Sequence, residues 1–190
     1  MAAQYNLQRH VIGGFLDFIP HGSTVDSVTT SASVQPDDVP ITNWTDYNMG
    51  CVLNVKFDKK TQEDPDLCPV ETGGYEEESN TRVVADYIDC TLKTHSEPIF
   101  RLLFGLNQEL TGATGQVPFE NLGERQITGW ARFRGVGGSG QALVIAKLEV
   151  KLSLMEYPDW NGESAVRPIV RMQVKSNALN DLIDDAILLP

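Results

Sequence analysis

The stretch that decides the fold is "QALVIAKLEVKLSLM", Gln141 to Met155. Every second residue from Ala142 is apolar: Ala142, Val144, Ala146, Leu148, Val150, Leu152 and Leu154. The interleaved set is Leu143, Ile145, Lys147, Glu149, Lys151, Ser153 and Met155, apolar at its ends and charged in its middle. Strict alternation over this length is a β-strand with one buried face. A typical strand has about 5–6 residues, so this one is unusually long. Its second face carries Lys-x-Glu-x-Lys, which poses the question of what that face meets.

Other segments share the period of two. "GCVLNVKFD" (Gly50–Asp58) sets Cys51, Leu53, Val55 and Phe57 against Asn54, Lys56 and Asp58. "RVVADYIDCTLK" (Arg82–Lys93) sets Val84, Ile88, Cys90 and Leu92 against Ala85, Tyr87, Asp89 and Thr91. "RQITGWARFRG" (Arg125–Gly135) sets Ile127, Ala131 and Phe133 against Thr128, Trp130, Arg132 and Arg134. "AVRPIVRMQVKS" (Ala165–Ser176) sets Val166, Val170, Met172 and Val174 against Arg167, Arg171, Gln173 and Lys175. A further strand is expected near Val11–Ile19, weakened by Gly13 and Gly14. The Gly-rich "GVGGSG" (Gly135–Gly140) reads as a hairpin tip between two strands.

One helix interrupts them: "HSEPIFRLLFGL" (His95–Leu106). Ser96 is a good N-cap, Glu97 suits the positive helix end, and Pro98 is tolerated in the first turn. Ile99, Leu102, Leu103 and Leu106 make an apolar stripe that covers an end or face of the sheets. The expected fold is therefore mainly β, a sandwich or barrel of antiparallel strands flanked by one short α-helix. Residues 1–190 are expected to form a single domain, with long loops over 20–48 and 59–81 and a C-terminal arm over 177–190.

Composition narrows the chemistry. No apolar run reaches the roughly 18–20 residues needed to span a bilayer. The N-terminus lacks the pattern of a signal peptide, and the chain is expected to stay in the cytoplasm of the cell that makes it. Cys51, Cys68 and Cys90 are odd in number and lack C-x-x-C spacing, so they read as thiols rather than a disulfide framework. His10, His21 and His95 are scattered, and no metal site is expected from them. No nucleophile elbow, phosphate-binding loop or zinc-protease motif occurs, so neither catalytic residues nor a cofactor are expected. The net charge of −11 repels phosphate at long range, which disfavours tight nucleic-acid binding and suits a surface that DNA passes without sticking.

The order of these pieces resembles the major tail tube protein of long-tailed phages. The resemblance spans roughly Gly50 to Leu182. It rests on "GGYEEESNTRVVADYIDCTLKTHSEPIFRLLFG" (Gly73–Gly105), where an alternating strand runs into a Ser-capped, Leu-rich helix, and on the late strands with their Gly-rich tip. Pro20–Asn48 is longer and more polar than the family pattern. The resemblance implies a virion protein assembled in the host cytoplasm, forming homohexameric rings that stack into a tube. Its implied partners are further copies, tape measure and terminator proteins, and DNA in transit, with no membrane. It implies that Lys147, Glu149 and Lys151 face a channel. It also implies that the acidic loop, with Glu63, Asp64, Asp66, Tyr75, Glu76, Glu77 and Glu78, bridges rings and orders against a neighbour. Two alternatives stay open: another ring-forming tail part such as a terminator, or a monomeric or dimeric β-sandwich binding module with Trp44, Trp130 and Trp160 as stacking platforms.

Overall fold

The computed structural model describes residues 13–36, 44, 46–70, 74–104, 126–137, 142–156 and 167–183. The chain is mainly β, antiparallel, with one short helix. Its strands are β1 (Gly13–Pro20), β2 (Thr24–Val25), β3 (Val28–Thr29), β4 (Asn48–Val70), β5 (Gly74–Leu92), β6 (Gln126–Val136), β7 (Ala142–Glu156), β8 (Ile169–Val174) and β9 (Asp181–Ile183). The helix, α1 (Glu97–Phe104), lies between β5 and β6. In the main sheet the order is β6-β1-β4-β5-β8-β7-β9, and β6 also pairs with β7. That last pairing closes six strands into a barrel and removes the open edges of a flat sheet. The expected choice between sandwich and barrel is thus resolved by hydrogen bonding.

The alternation of β7 is what fills the barrel. Val150 and Leu152 are fully buried inside it, with Leu16 and Phe18 of β1, Cys90 and Leu92 of β5, Ala131 of β6, and Val170 and Met172 of β8. Helix α1 closes one end by inserting Ile99 and Leu102, both fully buried, into the same core. Desolvation pushes the Cys90 thiol up to about 12, in keeping with a packing role and no reactivity at neutral pH.

Three expectations need correction. In β4 the periodicity misplaces the faces. The core receives Val52 in place of Cys51 and Leu53; Val55 faces it as expected, and Phe57, opposite Ile88 on that same face, is nonetheless largely exposed. A bulge between Val52 and Asn54 inserts one residue, and one residue is enough to reverse which side chains point inward. Next, the stretch 59–81 is not a long loop. β4 and β5 stay in register through Thr61↔Val83 and Asp66↔Glu78 to Val70↔Gly74, as a ribbon. Beyond the barrel, each strand of the ribbon has an edge that no other described strand pairs. Finally, part of the C-terminal arm belongs to the barrel, because Ile145–Lys147 of β7 pairs with β9. Within 20–48, Thr24–Thr29 forms a small hairpin, and 37–43 lies outside the described residues.

Candidate assembly surfaces

Two outer faces of the barrel carry charge, and they differ in what covers them. The first is built from β1, β6 and β7. Asp17, opposite Arg132 in the β1–β6 register, is fully buried. Its carboxylate accepts from Arg132 Nε at 2.9 Å and lies 2.8 Å from Arg132 Nη2. Arg134 adds contacts at 3.1 and 3.2 Å, and Asn48 Nδ2 donates at 2.7 Å. Arg132 is stacked over Trp44 at 4.9 Å and Arg134 over Phe15 at 5.3 Å. The lid on this network is the segment after β1. Ile19, Val25, Trp44 and Trp130 form a second small apolar cluster outside the barrel, and Trp130 Nε1 donates to the Ser31 carbonyl at 2.8 Å.

Lys147 and Glu149 sit on this covered face and are only 7% and 4% exposed. Asn177 Nδ2 donates both to Glu149 and to the Ala32 carbonyl, joining the two covering segments. Asn180 Oδ1 accepts from the Glu149 backbone N–H at 2.8 Å, and Lys175 N–H donates to the Glu149 carbonyl at 2.9 Å. His21 Nε2 lies 3.8 Å from the Glu149 carboxylate. Of the three residues expected on a channel face, then, two are enclosed by the chain's own segments, and Lys151 is half-buried. The covering residues come from positions far away in sequence, which no local pattern reveals.

His21 supplies a pH test. Burial lowers its pKa from the ordinary 6.5, opposed by Glu149 and reinforced by Lys175. The unfolded chain therefore takes up a proton first as pH falls. The contribution of His21 is fully present above about 6.5 and is lost as pH drops through the lower folded value. Thermal unfolding of wild type should weaken through this window more than that of His21→Gln. Parallel pH profiles for the two proteins would remove the assignment.

The second charged face lies on β4, β5, β8 and the later half of β7, and no other described element covers it. Two rows cross it in register: Ser153, Arg171, Asp89 and Lys56, then Lys151, Gln173, Tyr87 and Asp58. Arg171 grips Asp89 through two bonds of 2.8 Å, reaches Asp58 at 3.6 Å, and lies over Tyr87 at 5.0 Å. Hydrogen bonding to Asp89 raises the Arg171 pKa further above its ordinary value. Alternation in β4, β5 and β8 places all four residues on one face, but nothing local marks them as a constellation.

The remaining expected residues are placed by backbone alone. Glu63, Asp64 and Asp66 lie on the outgoing ribbon strand, and Tyr75 and Glu76–Glu78 on the returning one. Leu67 pairs with Glu77 and Cys68 with Glu76. At α1, the Ser96 carbonyl accepts from the N–H groups of Ile99 and Phe100 at 3.1 and 3.2 Å. The Ser96 hydroxyl itself is buried without a hydrogen-bond partner, so the expected side-chain cap is not formed. Glu97 is exposed in the first turn. Trp44 and Trp130 are both fully buried, which removes them as stacking platforms; Trp160 lies outside the described residues. Among the described residues no three His, Cys, Asp or Glu side chains gather as metal ligands. No described helix is long and apolar enough to cross a membrane.

No family model matches the chain, and no curated protein matches it. Among solved structures it is similar to a chain of the six-fold symmetrised cryo-EM structure of the anti-feeding prophage baseplate. That similarity has a TM-score of 0.34 and 5% identity, over 97% of this chain and 98% of the other. A score this low assigns neither fold nor function.

Proposed function

We propose that this chain is a structural subunit of a phage tail, forming hexameric rings that stack into a tube around a channel for DNA ejection. The observation that carries this reading is the ribbon. β1 pairs with β4 only at its start, through Asn48–Val52, and β8 pairs with β5 only through Asp86–Thr91. Beyond those points β4 and β5 continue as two strands paired with each other and with no other described element. A two-stranded ribbon is marginal in water by itself, and its open backbone edges are templates for further strands. Identical copies around a symmetry axis supply such strands at every joint. The sequence resemblance to tail tube proteins is a second, independent support.

In this reading the chain is not an enzyme and takes no cofactor. Its partners are its own copies and neighbouring tail proteins such as the tape measure and terminator, and its place is the virion tail after assembly in the host cytoplasm. The channel wall is the uncovered face of Lys151, Gln173, Arg171, Tyr87 and Asp58, in place of the enclosed Lys147 and Glu149. The acidic ribbon and a net charge of −11 per copy keep the channel negative overall, so DNA slides without binding.

Electron microscopy of purified protein at high concentration tests this directly. Six-fold rings or tubes are expected, and uniform single globules would sink the reading. Deleting Gln62–Glu78 removes the outer ribbon and spares the barrel. The expected product is folded and monomeric; tubes of normal length from it would show that the ribbon has no part in assembly.

A further inference from the structure

Helix α1 closes one end of the barrel with Ile99 and Leu102. Toward the other end the interior holds a cavity of about 440 Å³. Each of the six barrel strands gives it a wall residue: Leu16, Val55, Ile88, Ala131, Leu148 and Met172. Leu16, Ala131 and Met172 are buried and make its floor, while Val55, Ile88 and Leu148 are half-buried toward the mouth. Phe57, with 72% of its surface exposed, extends the apolar wall past the rim. Among the described strands the barrel wall parts beside this mouth. β5 pairs with β8 down to Asp86↔Val174, and β9 carries on along β7 alone.

Two polar residues border the cavity, Asn180 and Asp181. Both amide atoms of Asn180 are engaged: Oδ1 accepts from the Glu149 N–H and Nδ2 donates to the Lys175 carbonyl, each at 2.8 Å. Asp181 stands opposite Lys147 in the β7–β9 register, and such partners share a face of the sheet. That is the outer face, because Ala146 and Leu148 on either side of Lys147 line the cavity. The described side chains therefore offer the interior neither a charge nor a spare hydrogen-bonding group. A polar group drawn inside would go unpaired. The volume is roughly three times that of an apolar cavity that takes up benzene, and it lies within the range of small-molecule sites. A folded partner surface is too broad to enter a space walled by six strands, whereas a string of methylenes is not. We infer that the cavity binds one uncharged alkyl chain, which enters by the mouth past Phe57 and leaves any polar head in water.

The site is independent of ring assembly. The test takes the full chain in dilute solution and titrates it with straight-chain alcohols of increasing length, read by calorimetry. Saturable one-to-one binding is expected, tightening about fourfold for each added methylene until the cavity is full. Ala146→Phe puts a ring into the space, and the folded variant should lose saturable binding of octanol. A second measurement needs no variant: a photoreactive alkyl alcohol, cross-linked to the wild-type chain, should label Ile88, Phe133 and Leu148 in peptide maps. Absence of saturable binding means that another part of the chain or a second copy takes the space, and it overturns the inference. Affinity that does not rise with chain length, equal binding by folded Ala146→Phe, or labels confined to positions outside the cavity wall overturn it as well.

Discussion

Leu152→Asp is expected to leave no soluble folded protein. Leu152 is fully buried in the apolar cluster that joins it to residues of five other barrel strands. A charge placed there is either unpaired or must be protonated, and the accompanying loss of packing adds to the cost. The sum exceeds about 4 kcal/mol, a large fraction of the about 5–15 kcal/mol that holds an ordinary domain together. Glu149→Gln, one strand face away, is the matched comparison. Alternation alone ranks Glu149 as a surface position. Its enclosure under Asn177 and Asn180 instead predicts a cost of about 1–3 kcal/mol, because the amide replaces a buried acceptor oxygen by a donor whose partner is lacking. Soluble expression and thermal melting separate the two variants, and equal behaviour would remove the assignment of faces on β7.

The second large effect is at Asp17. Its carboxylate is the shared acceptor for two guanidinium groups, of which Arg132 is only 3% exposed. Asp17→Ala leaves that positive charge buried without its counter-ion, a situation that costs about 3–5 kcal/mol. Asp17→Asn keeps the shape and the contact with Asn48 but removes the charge, so most of the loss should persist. The test is the denaturant midpoint at constant slope. Midpoints within experimental error of wild type for both variants would show that the network is not needed for the folded state.

Local periodicity carried the reading of β5, β6, β7 and β8, because each has one face in the core and the pleat converts that directly into alternation. It misread the start of β4, where the bulge after Val52 shifts the parity and takes Cys51 and Leu53 out of the core while Val55 keeps its expected face. It missed the ribbon, because Glu, Asp and Pro are poor strand formers in isolation and are held in strands here by pairing with a partner strand. The enclosed face was invisible for another reason. Lys147, Glu149 and Arg132 have the composition of a solvated surface, and what removes them from water is supplied by Ser31, Asn177, Asn180 and Trp44, distant in sequence. The covering tryptophans could have been a signal. Trp130 is a large apolar group at a position the alternation assigns to the outside, and such a group needs a lid, to which Trp44 contributes.

The order in which the barrel closes fixes when it can form. β1 is made first, yet its partner β6 begins at Gln126 and the β5–β8 seam waits for Ile169. A chain emerging from the ribosome therefore carries an apolar first strand for more than half of its synthesis with one flank unmatched. Barriers set by such distant pairings make folding slow compared with helical proteins of the same size. The ribbon, by contrast, pairs strands that are neighbours in sequence, out to Val70↔Gly74, and can zip up early. Its outer edges, which no other described strand pairs, are thus formed before the barrel exists. Premature association of nascent chains is the hazard that this topology creates, and low temperature or chaperone supply during expression should raise the yield of correctly closed subunits.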